Sequence, residues 1–483
     1  MQLQSPWGKV FTASLVLVLL MLPNVALAAN HYVRAGASGS ASGADWTNAY
    51  TNLPSGLVRG DSYYVAAGTY KGHTFNDAAS GTAVITIKAA TVADHGTDTG
   101  WSASYVGEAK FNTASNGSIL GFNQPYYIFD GAYRGSDWRS GYGFHLDNTG
   151  SVVGNSTGII AFNANNITVR YTNIEGSHSQ GNPTDRGWTS YGNDNILIEY
   201  NFDHDLGEAG CVMRGDTTSS NVTIQYNYFS DNYSVGGSGV HSEPISIAEG
   251  IHNYTIRYNR FVNAVGTGAI ANASSLTPND NSNGPLYIYG NEMWYNTSLW
   301  PSGFSSYCAV GGFYSFINVG FTSDIYVYNN TIGNINSTVC PQGSGGDALV
   351  TTQGDPAAKL LSGATIHVKN NLWWNSNGGV SLSVSPTDVS DNDAAGTSLL
   401  FAATSGFDFH LVTHDTKFSA APPYGISLSN VGTYWNGSTL VANTFDVDMD
   451  GTPRSTWDLG AYELASGSGG NPAPPSGLTA LVQ

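Results

Sequence analysis

The chain has 483 residues, of which 11% are charged, 12% are aromatic and 59 are Gly. Its 27 Asp outnumber 8 Glu and 7 Lys, so strong helix formers are scarce and turn formers abundant, which argues against a helical protein and for an all-β one. The formal charge of −18 argues against nucleic-acid binding, which needs a basic footprint. It leaves a polyanionic substrate open, because a local basic cleft or a bound cation overrides net charge.

Residues 1–28 read as a secretory signal peptide. Lys9 supplies the positive start, Val10 to Leu22 the apolar core, and Ala26-Leu27-Ala28 the small-residue cleavage site. The apolar core is short for a bilayer span, and nothing later is long and apolar enough to make one. The expected mature chain is secreted or held at the cell surface, without a transmembrane segment.

Next come Tyr32-Val-Arg-Ala-Gly36 and Gly60-Asp-Ser-Tyr-Tyr-Val-Ala-Ala-Gly-Thr-Tyr70, two strand-and-turn stretches. A short capping helix is expected between them, over Trp46 to Asn52, covering the open end of a core. From residue 160 a motif recurs: a β-branched strand followed by Tyr-Asn-x-Phe. Its clearest copies are Asn195–Phe202, Asn221–Phe229 and Asn253–Phe261, with looser ones at 166–174, 286–293, 325–332 and 365–372. The equivalent Asn residues are 201, 227, 259, 291, 330 and 371. A constant motif at variable spacing is what solenoid coils with loop insertions give. Coils stacked about 4.8 Å apart set like residues on like residues, so this Asn should bond to itself from coil to coil at a corner. The expected fold is an all-β, single-stranded parallel β-helix over residues 29–464.

Cys308 and Cys340, in turn-rich stretches of adjacent coils, are expected to form a disulfide, leaving Cys211 a free thiol. Asp448-Met-Asp-Gly-Thr-Pro-Arg454 and Trp457-Asp-Leu-Gly-Ala-Tyr-Glu463 close the domain; Asp446, Asp448 and Asp450 are read as turn residues, since Trp457 replaces the Glu of a calcium loop. Residues 465–483 read as a flexible tail. The repeats resemble the right-handed parallel β-helix proteins of the pectin-lyase-like superfamily. The stretch at 408–463 resembles the terminal segment of surface-anchored bacterial β-helix proteins.

That resemblance implies a polysaccharide partner for a monomeric, extracellular protein, and a site on an exposed face of stacked strands. The candidate residues come from three successive coils. If Gly210, Gly239 and Gly268 start equivalent strands, Arg214, Glu243 and Asn272 stack in one column. Arg214 would neutralise a uronate carboxylate or developing charge, His241 would exchange the proton, and Glu208 or Asp216 would support them. Glu243 would orient His241 or, with Asp203 and Asp205, hold a calcium ion. Trp294, Tyr295, Trp300 and Tyr307 are the expected sugar-stacking residues. The signatures of pectate lyases and polygalacturonases are absent from the sequence. The expected activity is a polysaccharide lyase on a uronic-acid polymer. The alternatives are a glycoside hydrolase with Glu243 and Glu208 as its acid and base, or a non-catalytic carbohydrate-binding or adhesive surface protein.

Overall fold

The structure is a computed structural model. It describes residues 28–464 apart from 154–156, 178–184, 208, 215–218, 233–242, 249, 265–267, 273–282, 300–311, 317–320, 337, 340–349, 352–358, 377–378 and 396–399. Residues 1–27 and 465–483, with the expected signal peptide and tail, and Cys308 and Cys340 lie outside the described residues.

The strands form three long parallel sheets of 12, 11 and 10 strands among the described residues. One coil runs through the sheets in turn. Ile167–Arg170 lies in the first sheet, Thr172–Glu175 in the second and Arg186–Tyr191 in the third, and the next coil begins at Ile196–Glu199. Each strand pairs in parallel with its counterpart one coil on, as Ile167 with Ile196 and then Ile196 with Val222. This is a parallel β-helix, with the right-handed course that parallel crossovers take. All seven recognised motif copies fall on consecutive strands of the first sheet, which continues upstream through Tyr127–Asp130, Ile85–Ala89, Ser62–Val65 and Asn30–Val33.

The repeated Asn builds the corner between the first and second sheets. Asn259 Oδ1 accepts from Asn227 N and Nδ2 at 3.0 and 3.1 Å. Asn259 Nδ2 donates to Asn291 Oδ1 at 3.0 Å and to the Ile224 carbonyl at 2.9 Å. The same bonds run from Asn201 through Asn371 to Asn392. Each amide thus satisfies buried backbone groups that the turn removes from the strand ladder. The Tyr before it bends the chain in the left-handed region, at φ 53–56° for Tyr171, Tyr200, Tyr226 and Tyr258, and these rings stack outside the corner 5.0–5.1 Å apart.

Inward positions form columns of apolar side chains, such as Phe111, Leu146, Ile174, Phe229, Phe261 and Met293 in the second sheet. Among the described residues no helix covers the N-terminal end of the core. Residues 46–52 are bends around a bridge of Tyr50 to Val33, with Asp45 accepting from the Asn48 amide at 2.8 Å, and Pro54 follows closely. Leu53 and Leu57 reach the core instead, while Trp46 is fully buried in an aromatic cluster with Tyr32, Trp101 and Tyr105.

The C-terminal segment lies back along the outside of the coils. Arg257 points away from the core but is buried beneath this segment, with the Tyr434 ring 3.6 Å from its guanidinium carbon. Tyr258 donates to the Val447 carbonyl at 3.2 Å and Tyr289 to Asn443 Oδ1 at 3.1 Å. Asp448 is a turn organiser, accepting from the amides of Asp450, Thr452 and Glu463.

Candidate active site

The site begins with the residue that follows each ladder Asn. Asn makes the corner, so the next side chain starts a strand of the second sheet and faces outward. In register this column reads His145, Asn173, Phe202, Tyr228, Arg260, Glu292 and Thr331. Two consecutive rungs therefore carry an arginine and a glutamate, and Arg260 Nε lies 3.0 Å from Glu292 Oε2.

Two remote pieces of chain wall these rungs into a cavity of about 380 Å³. One is the insertion between the strands ending at Asp130 and starting at Phe144, which contributes Asp137, Trp138 and Arg139. It is fastened by Arg134, which donates to the Tyr226 carbonyl at 2.9 Å. The guanidiniums of Arg134 and Arg260 both lie against the Trp138 ring, at 3.8 and 4.3 Å. The other wall is the C-terminal segment, which contributes Phe407, Asp408, His410 and Tyr462. Arg260 donates to the Tyr462 hydroxyl at 3.1 Å, linking floor and wall.

The cavity's carboxyls are displaced in opposite directions. Glu292 is 2% exposed, and burial pushes its carboxyl above the ordinary range although Arg260 and His410 pull it down. Asp408 is held below the ordinary range, chiefly by its hydrogen bond from His410. Burial disfavours a charged His410, yet Asp408 and Asp450 together push the ring up to about 10. Its Nε2 is 2.7 Å from Asp450 Oδ2 and its Nδ1 bonds to Asp408. A carboxyl whose proton burial favours, a carboxylate whose ionisation is favoured, and several cations thus open onto one aromatic-walled space. Such a space can stack a sugar ring, bind an acidic group and move a proton.

Of the residues predicted from sequence, Trp294 lines this cavity, stacked with Phe407 at 6.3 Å and edge-on to Tyr228. Tyr295 does not: it is fully buried and donates to the Ala264 carbonyl at 3.0 Å, leaving no surface for a sugar. Trp300, Tyr307, Glu208, Asp216 and His241 lie outside the described residues, and of Arg214 only the backbone is described, in the strand Ala209–Arg214 opposite Tyr191.

The proposed column of Arg214, Glu243 and Asn272 does not form. Cys211 pairs with Ile245 and Ile245 with Ile270, which sets Asn272 level with Ile247 and Met213, while Glu243 comes level with Gly268. Gly239 lies outside the described residues, and the strand described on that coil is Ile245–Ile247. Glu243 is fully buried. Nor do Asp203, Asp205 and Glu243 fit a calcium ion as one group. Asp203 occupies the inward column between Ile174 and Phe229, whereas Asp205 lies outside with its carboxylate 2.6 Å from His204 Nδ1.

Sequence reasoning missed Arg260, Glu292, Asp408 and His410. The first two carry a readable signal, a charge at the variable position after the ladder Asn on adjacent coils. Nothing in the sequence says which loop folds over them.

No protein-family model and no curated protein matches the chain. Among solved structures it is similar to pectate lyase Pel9A, with 14% identity over 92% of this chain and 98% of that one, at a TM-score of 0.39. It is also similar to the PL6 family polysaccharide lyase Pedsa3628 from Pseudopedobacter saltans, with 14% identity over 75% of this chain and 94% of that one, at a TM-score of 0.37. A third is the PL6 family alginate lyase AlyGC, with 14% identity over 71% and 50% of the two chains, at a TM-score of 0.35. At these values the likenesses bear on no residue of the cavity. The strand pairing of the chain itself establishes its architecture, a right-handed parallel β-helix of three sheets.

Proposed function

We propose that the protein is an extracellular enzyme that cleaves an acidic polysaccharide in the cavity formed by Trp138, Arg260, Glu292, Trp294, Asp408 and His410. The observation that carries this reading is the pair Glu292 and Asp408, whose carboxyls are displaced in opposite directions beside one aromatic-walled space. Groups displaced apart in this way divide the acid and base roles between them. Glu292, whose protonated form burial favours, donates its proton to the glycosidic oxygen as the bond breaks. Asp408, held ionised by His410, takes a proton from the attacking water, and the products are two chains, one with a new reducing end. Trp138 and Trp294 stack on sugar rings, and Arg260 and Arg139 meet the substrate's carboxylates. The secretory signal read in residues 1–28 fits an exported protein, and the arginines of the cavity supply the local positive charge that must override a net charge of −18.

The two arginines support a second reading, β-elimination. There the cations neutralise a uronate carboxylate, a base removes the proton alpha to it, and Glu292 again protonates the departing oxygen. A panel of neutral, uronate-containing and sulfated polysaccharides separates the two routes. Hydrolysis yields reducing ends without ultraviolet absorbance, and elimination yields an unsaturated, absorbing end. Binding of several polymers with cleavage of none would leave only a carbohydrate-binding surface.

A further inference from the structure

We propose that the outer face of the second sheet carries a second site, for a divalent transition-metal ion, built by His145, Asp147, Glu175, His204 and Asp205. The strands Phe144–Asp147, Thr172–Glu175 and Phe202–His204 are neighbours, and their register sets Asp147 beside Glu175 and Glu175 beside His204. Three ligand-bearing side chains thus rise from successive rungs in one outward column, about 4.8 Å apart by the strand spacing. His145, two residues before Asp147, turns its Nε2 to Glu175 Oε2 at 2.7 Å. The ligand atoms of His145, Asp147 and Glu175 all lie within 4.8 Å of one another, and so do those of Glu175, His204 and Asp205. Glu175 is common to both sets, so one ion at its carboxylate has an imidazole available on either side.

Three features separate this cluster from a surface network of ion pairs. His145 is only 5% exposed, and its Nδ1 makes no hydrogen bond although Glu108 Oε1 is 3.1 Å away. A buried ring nitrogen without an aligned partner is an unusual thing to leave in a wall. His204 is oriented from outside the set, its Nε2 lying 2.8 Å from Asn173 Oδ1 while Nδ1 faces Asp205. Outer partners of this kind fix the rings that ligate metals. Finally, four carboxylates, Glu108, Asp147, Glu175 and Asp205, converge here, and the one lysine among them, Lys110, is paired with Asp147 at 2.9 Å. Imidazole nitrogens with a few carboxylates suit Zn²⁺ and its neighbours, whereas calcium takes six to eight oxygens. Asp205 therefore joins a cation site, but not the calcium set of the sequence reading.

Glu175, the ligand common to both sets, lies two rungs from Tyr228 at the cavity's edge, roughly 10 Å at the strand spacing, and none of the five ligand residues lines the cavity, so metal binding is read without an assay of catalysis. Full-length protein is stripped with a chelator and titrated with Zn²⁺ and, separately, Ca²⁺, with heat of binding and thermal midpoint as readouts. The expected result is one Zn²⁺ per chain at micromolar or tighter affinity, a raised midpoint, and no comparable effect of Ca²⁺. Glu175→Gln should weaken Zn²⁺ binding at least tenfold, and His145→Ala or His204→Ala should also weaken it. The metal-free midpoints of these outward-facing variants check that they fold. No Zn²⁺ binding by the wild type would overturn the proposal. So would binding that Glu175→Gln leaves unchanged, or a Ca²⁺ effect as large as that of Zn²⁺.

Discussion

Asn259→Ala removes one rung of the corner ladder, and its cost can be worked from the bonds lost. Asn259 Oδ1 accepts from Asn227 N and Asn227 Nδ2, and Asn259 Nδ2 donates to Ile224 O, Arg257 O and Asn291 Oδ1. The partners are not equally harmed. Asn227 Nδ2 keeps the Ile198 carbonyl at 3.0 Å, and Asn291 Oδ1 keeps the Asn259 amide at 2.9 Å. The Arg257 carbonyl keeps the Tyr226 amide at 3.3 Å. The Asn227 amide loses the side-chain acceptor that serves it in a buried corner. An orphaned buried donor costs about 1–3 kcal/mol and each of the four further bonds about 0.5–1.5 kcal/mol net, so the total falls in the range of about 3–9 kcal/mol. Urea denaturation followed by circular dichroism should show that loss, and hydrogen exchange should show faster exchange of the Asn227 amide. Asn123→Ala, which removes an exposed pair of amide bonds to Asn76 and Asn163, should cost less than about 1 kcal/mol. Equal costs for the two variants would refute the ladder as a source of stability.

Two further outcomes follow from the packing. Burial raises the Asp203 carboxyl well above its ordinary range, against partial relief from Asn232 and Trp188. The folded chain then holds a proton that the unfolded chain, with a pKa near about 3.9, has released. Stability therefore falls as pH rises from about 4 toward the folded value. Asp203→Asn should flatten that slope and raise the thermal midpoint at neutral pH; an unchanged slope would show that Asp203 is not the group responsible. Arg257 Nε donates to Gln225 Oε1 at 2.7 Å and its Nη1 to the Tyr289 hydroxyl at 2.9 Å beneath Tyr434. Limited proteolysis of the wild type should remove only the tail after 464, whereas Arg257→Gln should expose sites within 430–464 and leave the coils intact. Identical digestion patterns would mean that this contact does not hold the segment.

The coil architecture was legible because it is periodic. The spacings 26, 32, 32, 39 and 41 between motif Asn residues are the sequence separations bridged by the ladder bonds. One side chain per coil met its own copy and little else. The cavity was not legible, because it is not periodic. Its floor, Arg260 and Glu292, is closed by Trp138 from upstream and by Phe407, Asp408 and His410 from the C-terminal segment. No local pattern encodes which outward face such pieces cover. His410 lies in the stretch 408–463, which from sequence resembles only a terminal segment, and that segment forms a wall of the cavity. Trp294, singled out from sequence as an aromatic, lines the cavity. Tyr295 was misassigned, since composition does not say which of two adjacent rings faces in.

The most direct test of the central claim is the rate of polysaccharide cleavage by Glu292→Gln, on whichever polymer the wild type cleaves best. Glutamine keeps the shape of the side chain and its place beside Arg260 but has no proton to give. Turnover should be slower than in the wild type by a factor of about a hundred or more, on the order seen when a positioned acid is lost, with the thermal midpoint and polymer binding retained. Wild-type turnover in a folded Glu292→Gln protein would contradict the account and place the chemistry elsewhere on the β-helix.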